Sequence, residues 1–243
     1  KGENPEGLSG LIQLLIEQRE YLEKGELKNL FTFLINYFAR QINQTGDMTA
    51  AKHTLSLYEW AIEERLIFLN NYLPATHYKN IITTCLRVHA YELALGYLDS
   101  FRSLLPPDVQ EDTYLINFIK CHYARGDYEA IIETLVRHKF KYVVDEIDAR
   151  AFLLQAHYEL RPGDEEWLYA QAEKLIRFVR GRKDYPKPLK QAYINQYRLF
   201  SRILNAQNHE EIHKLEIAVG ETRPISQPAW LTSMIARKKR ALS

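Results

Sequence analysis

The sequence predicts an all-α fold: a right-handed α-α superhelix of stacked helical hairpins, closed by a terminal capping helix. Three observations carry this expectation. Glycine (10) and proline (9) are few among 243 residues, and the prolines fall mostly between periodic segments, so long helices are favoured over tight turns. Apolar residues recur at i, i+3, i+4 and i+7, which places them on one helical face. That quartet then repeats along the chain. It reads Phe31/Leu34/Ile35/Phe38, Tyr78/Ile81/Ile82/Cys85, Leu115/Phe118/Ile119/His122, Ala149/Phe152/Leu153/Ala156 and, more weakly, Tyr193/Gln196/Tyr197/Phe200, with starts 47, 37, 34 and 44 residues apart. A helix-turn-helix unit at such a period is the mark of an α-solenoid, because one pair cannot bury its apolar face alone and stacked pairs can.

Residues 1–7 (KGENPEG) read as a frayed leader, 8–220 as about five hairpins, and 221–243 as a linker with a capping helix. From Leu8, the positions Leu11, Ile12, Leu15 and Leu22 share a face, and Gly25 is expected to stop that helix. The second helix carries the first quartet, and Gly46-Asp47 opens the next turn. Residues 50–72 read as one long helix with Leu55, Ile62, Leu66 and Leu69 recurring, ended by Pro74. Each later quartet is followed by a break: His89-Ala90, Arg125-Gly126-Asp127, Arg161-Pro162-Gly163-Asp164 and Gln207-Asn208. Near the end, Trp230, Leu231, Met234 and Ile235 form the face expected to fold back and close the array.

Residues 75–108 and 112–140 resemble the tetratricopeptide repeat family. In the first, Tyr78 stands where the family has a large aromatic in its first helix. Tyr91-Glu92-Leu93-Ala94 matches the aromatic-x-x-Ala that starts the second helix, and Leu98, Phe101 and Pro106 continue and close the unit. In the second, Gly126-Asp127-Tyr128-Glu129-Ala130 is close to the family's turn. The resemblance covers about residues 27–220 and implies a protein-interaction scaffold. It departs from the family where Ile82, Ile119 and Leu153 replace the small residue in the middle of the first helix, which implies helices set further apart or at altered angles.

Composition narrows the function. Apolar residues are 46%, charged residues 26% and the net charge is +1, so no global field favours nucleic acid or an anionic membrane. The least charged long run, Asn29–Ala39, is far shorter than the roughly 20 apolar residues of a membrane span. The two cysteines, Cys85 and Cys121, sit inside apolar helical patterns and read as reduced core thiols. The chain opens at Lys1 without methionine, which reads as a piece of a longer protein, and the expected compartment is the cytoplasm. No G-x-x-x-x-G-K-[ST] or G-x-G-x-x-G loop is present, so no cofactor and no enzymatic activity are expected.

One motif argues otherwise. His209-Glu210-Glu211-Ile212-His213 matches the H-E-x-x-H of zinc peptidases, in which two histidines on one helical face hold the metal. Glu216 is the only nearby third ligand, and three ligands within two turns of one helix make a poor tetrahedral site. Helix grammar explains the same letters: Asn208 caps, Glu211 completes a capping box, both glutamates complement the helix dipole, and Ile212, Leu215 and Val219 form the buried stripe. A zinc metallopeptidase with weak metal candidates His209 and His213 is therefore the least favoured function. Arg125-Gly126-Asp127 spells an adhesion tripeptide, but it lies where a turn is needed.

The favoured function comes from the repeat. The exposed side of the first helices of such arrays lines a concave groove, which selects Asn36, Arg40, Lys79, Thr83, Arg87, Lys120, Tyr123, Arg150, His157, Arg198 and Arg202. Seven of these eleven are cationic and none is acidic. The expected role is a non-enzymatic scaffold that binds an acidic or extended protein segment. The alternative is RNA binding, helped by a second basic run, Arg177, Arg180, Arg182, Lys183, Lys187 and Lys190, read as an inter-helix loop around Pro186-x-Pro188. The tail Arg237-Lys238-Lys239-Arg240 reads as cations suited to a helix C-terminus, with a weak nuclear signal as the other possibility.

Overall fold

In the computed structural model, which describes residues 5–135, 138–161 and 163–242, all regular structure is helical, with no strand among those residues. Residues 1–4 of the expected leader, the side chains of Leu8 and Leu11, and Pro162 of the fourth turn lie outside the described set. Helices pack mainly on near neighbours in sequence, as an all-α helical-repeat array requires. The chain divides into two compact units, Lys1–Arg125 and Gly126–Ser243. No helix among the described residues is long and apolar enough to cross a membrane.

Unit 1 holds α1 (Pro5–Glu17), α2 (Lys24–Thr45), α3 (Met48–Glu63), α4 (Ala75–Arg87), α5 (Tyr91–Ser100) and α6 (Gln110–Arg125). Helix α1 begins at Pro5, so part of the expected leader is already helical, and it ends eight residues before Gly25. Gly25 instead lies in the first turn of α2. A helical glycine costs about 1 kcal/mol, and a capping box between Glu23 and Glu26 together with the buried stripe Phe31, Leu34, Phe38 and Ile42 offsets it. Gly46 then ends α2 with φ 69, and the Asp47 carboxylate accepts from Thr49 and Ala50 to start α3, as the sequence implies.

Helix α3 stops at Glu63, well short of the expected residue 72. Arg65 takes the left-handed conformation at φ 49, and the amides of Arg65 and Leu66 turn back onto the carbonyls of Ile62 and Ala61 at 3.0 and 2.8 Å. This is a Schellman end with arginine where glycine is usual. The periodicity misleads because Leu66 and Ile67 remain buried after the helix has ended. His89, at φ 58, ends α4 in the same way.

An aromatic cluster sits within the largely aliphatic core of unit 1. Phe31, Tyr58 and His77 meet edge to face, with centroids 5.6 to 6.1 Å apart. Burial, and secondarily Lys28, holds the His77 imidazole below its usual pKa, so it sits there neutral. Tyr78 is fully buried and donates its hydroxyl to the Leu98 carbonyl at 2.7 Å, tying α4 to α5. Helix α4 also packs on α6, the contact between successive first helices that stacking demands. Cys85 and Cys121 are buried free thiols whose pKa burial pushes up to about 12.

Unit 2 holds α7 (Tyr128–Leu135), α8 (Val143–Leu160), α9 (Glu165–Gly181), α10 (Lys187–Leu204), α11 (His209–Glu221) and α12 (Pro228–Ala241). The fourth quartet is out of frame. On α8 the deeply buried apolar row is Ile147, Ala151, Leu154 and Tyr158, while Phe152 and Leu153 are half-buried. Helices α7 and α9 both pack on α8, so small residues such as Ala149 and Ala156 are buried on another side. The basic run at 177–190 is mostly helical, since Arg177 and Arg180 belong to α9 and Lys187 and Lys190 to α10. The short link between them is pinned by the buried ring of Tyr185.

Helix α12 closes the unit as expected. Trp230 stacks on Phe200 at 5.3 Å and meets Tyr158 edge to face at 5.8 Å, while Leu231, Met234 and Ile235 are buried. Three of the four cations in its basic tail are paired with acids, while the exposed Arg240 bonds the Ala236 carbonyl of its own helix. Arg237 grips both oxygens of Glu159, Lys238 bonds Glu165 and the Leu204 carbonyl, and Lys239 bonds Glu216.

Candidate functional site

The eleven candidate groove residues lie on α2, α4, α6, α8 and α10 and are divided between the two units. In unit 1, Thr83 and Arg87 line a cleft of about 180 Å³ between α2, α3 and α4, together with Asn43 and Asn80. The Asn80 amide donates to the Tyr58 hydroxyl at 3.1 Å, which fixes its orientation. Asn36, Arg40, Lys79, Lys120 and Tyr123 line none of the clefts described here; Asn36 and Arg40 are exposed, and the other three are half-buried. In unit 2, Arg150 and His157 face the groove between α8 and α9, and Arg198 and Arg202 face a cleft between α9, α10 and α11.

The last of these is the roomiest, about 540 Å³. Its floor is made by Ser201, Ala206 and Leu215, and its walls by Arg198, Arg202 and Asn205 of α10 and its end, Tyr169 and Glu173 of α9, and Glu211 and Lys214 of α11. The amphipathic stripe of α10 explains the placement. Tyr197, Phe200, Ile203 and Leu204 are buried, so Arg198 and Arg202, four residues apart, share the opposite open face. The cleft charges are not equivalent. Lys214 is bonded to Glu210 at 2.6 Å, an exposed bond that holds the ammonium above its usual pKa. Glu211 is occupied by its own helix start, receiving the Gln207 amide at 2.8 Å. Arg198 and Arg202 form no ion pair among the described residues. The buried Ser201 hydroxyl has no hydrogen-bond partner among them either.

The H-E-x-x-H stretch forms the start of α11. Asn208 accepts from the Glu211 amide at 2.9 Å, and Glu211 returns to Gln207 rather than to the cap residue itself. His209 and His213 are exposed, and Ile212, Leu215 and Val219 are buried. The His213 Nδ1 lies 3.5 Å from Glu216, whose carboxylate already takes Lys239 at 3.0 and 3.2 Å. No group of three or more His, Cys, Asp or Glu is assembled for a metal among the described residues.

Confining the candidates to first helices leaves out Tyr169, Lys214, Trp167 and Lys174, which α9 and α11 bring to the clefts. The signal for two of them is in the sequence. Trp167 and Tyr169 flank the buried stripe Leu168, Ala172, Leu175, Ile176 and Val179 instead of belonging to it, and aromatic rings off the core stripe are surface features. Compared with known proteins, the chain matches no family model, no curated protein sequence and no solved structure.

Proposed function

We propose that this chain is a non-enzymatic interaction module, a helical-repeat array of the tetratricopeptide type, that binds an acidic, extended segment of a partner protein in the α9/α10/α11 cleft of unit 2. The observation that carries this reading is the pair Arg198 and Arg202, unpaired among the described residues, on the wall of a cleft of about 540 Å³. Their spacing fits such a ligand. Residues four apart on a helix are about 6 Å apart along its axis, and alternate side chains of an extended strand are about 6.7 Å apart on one face. Two carboxylates in a Glu-x-Glu segment therefore meet two guanidiniums in register. Tyr169 adds aromatic contact area and Asn205 an amide able to serve the ligand backbone. Cations on an open wall contribute steering and register more than raw affinity.

The test is a fluorescence-anisotropy titration of the full chain with a twelve-residue alternating Glu-Ser peptide, a Gln-Ser control and a twelve-nucleotide single-stranded RNA. The acidic peptide is expected to bind about tenfold more tightly than the Gln control, with the difference narrowing as salt screens it. Equal binding of both peptides, or binding of the RNA alone, overturns the reading.

A further inference from the structure

The groove between α8 and α9 is a different surface, and its lining is graded along its length. At one end stand Arg150 and Lys174, in the middle a floor of Leu153, Leu154 and Leu175 beside the Gln171 amide, and beyond it His157 and Trp167. Those last two rings also line the adjoining hollow that runs on to Arg161 and Asp164, so the two spaces share a wall. The rings meet edge to face at 4.5 Å, which leaves the indole held in place but open to solvent. Trp167 is 37% exposed, whereas the other two tryptophans, Trp60 and Trp230, are 6% and 8% exposed. Burial, and then Arg161, lowers the His157 pKa, so this wall is uncharged at neutral pH.

The charges at the first end are unequal in the same way as in the larger cleft. Arg150 is engaged, bonding Glu146 at 2.7 Å and stacking 4.1 Å from the Phe178 centroid, where Arg182 also stacks. Lys174 is exposed, makes no ion pair among the described residues, and no carboxylate lines this space. An apolar floor beside an unopposed ammonium and an open indole calls for a ligand that is acidic at one point and apolar beside it.

Helix geometry sets the spacing. From Arg150 to Leu153 and Leu154, and again from there to His157, is three to four residues, or about 5 to 6 Å each at 1.5 Å per residue. An extended peptide presents alternate side chains to one side at about 6.7 Å. We propose that the α8/α9 groove is a second docking surface, for a short extended peptide of the pattern acid-x-apolar-x-aromatic. The acid lies at Lys174, beside the engaged Arg150, the apolar side chain on the leucine floor, and the aromatic ring against Trp167.

The test uses the full chain and the capped peptide Gly-Glu-Ser-Leu-Ser-Phe-Gly, read by acrylamide quenching, to which Trp167 is the most open of the three indoles. The peptide is expected to protect this fluorescence saturably. Replacing its Glu by Lys, or its Leu by Ser, is expected to weaken the protection about tenfold or more. Lys174→Glu, on an exposed side chain, is expected to weaken it similarly, with an unchanged far-ultraviolet circular dichroism spectrum. Because the Glu-to-Lys change is made in the peptide, that arm does not depend on how a variant folds. The double variant Arg198→Glu with Arg202→Glu is expected to leave it unchanged, so failure here is distinguishable from failure of the α9/α10/α11 cleft. No protection by the peptide, protection that survives both the Glu-to-Lys change and Lys174→Glu, or protection by a seven-nucleotide RNA instead overturns the proposal.

Discussion

Unit 2 carries two rows of cations on helices that pack against each other, and they are placed oppositely. On α12, Arg237, Lys238 and Lys239 meet Glu159, Glu165 and Glu216 from α8, α9 and α11. On α10, Arg198 and Arg202 face a cleft and meet no carboxylate within ion-pairing distance among the described residues. The denser row is the structural one. Four consecutive cations at 237–240 suggest a displayed signal, but three of them clamp the closing helix to acids 78, 73 and 23 residues away in sequence. A run of charge therefore does not show whether it binds a partner. What decides is whether distant acids arrive to neutralise it.

The comparison can be broken first at the tryptophan that α12 buries. Trp230→Ala removes the ring stacked on Phe200 and the indole N–H that donates to Glu159 at 3.1 Å. It is expected to cost about 3 to 5 kcal/mol, measured by urea unfolding. A cost below 1 kcal/mol would mean that α12 does not close the unit.

Arg237→Ala comes next. It leaves Glu159, whose side chain is only 12% exposed, without its bidentate partner. Removing one member of a buried pair costs about 3 to 5 kcal/mol, and since Arg237 is itself 37% exposed the expected loss is nearer 2 kcal/mol. Lys239→Ala breaks a pair whose two side chains are 50% and 37% exposed, so a loss well below that of Arg237→Ala is expected in the same unfolding experiment. The smallest effect belongs to the cleft: Arg198→Gln with Arg202→Gln is expected to stay within about 0.5 kcal/mol of the parent in the same unfolding experiment. A loss of 2 kcal/mol there would place those arginines with the α12 row and remove the contrast.

Much of the fold was legible in the sequence. Its period of apolar quartets marks the array, and Trp230, Leu231, Met234 and Ile235 mark the closing helix, because both depend on local spacing. What failed depended on information that spacing does not carry. Helix α3 ends at an arginine in a glycine-type conformation, with buried Leu66 and Ile67 prolonging the apparent period. The frame on α8 slipped because that helix is covered by both α7 and α9, so more than one stripe of it is apolar.

The candidate site was half legible. Arg198 and Arg202 follow from their place on a first helix, opposite its buried stripe. Tyr169 and Lys214 do not, because they sit on second helices that only the packing turns toward the cleft. Nor could the sequence separate the α10 cations from those of α12, since the acids that distinguish them lie elsewhere in the chain.

The most direct test of the central claim, that the α10 row binds while the α12 row holds the fold, is a charge swap. Arg198→Glu with Arg202→Glu is titrated with the alternating Glu-Ser peptide and with its Lys-Ser counterpart. The account predicts that the variant loses the acidic peptide by on the order of tenfold or more and gains the basic one. Undiminished binding of the acidic peptide by the swapped protein would contradict it.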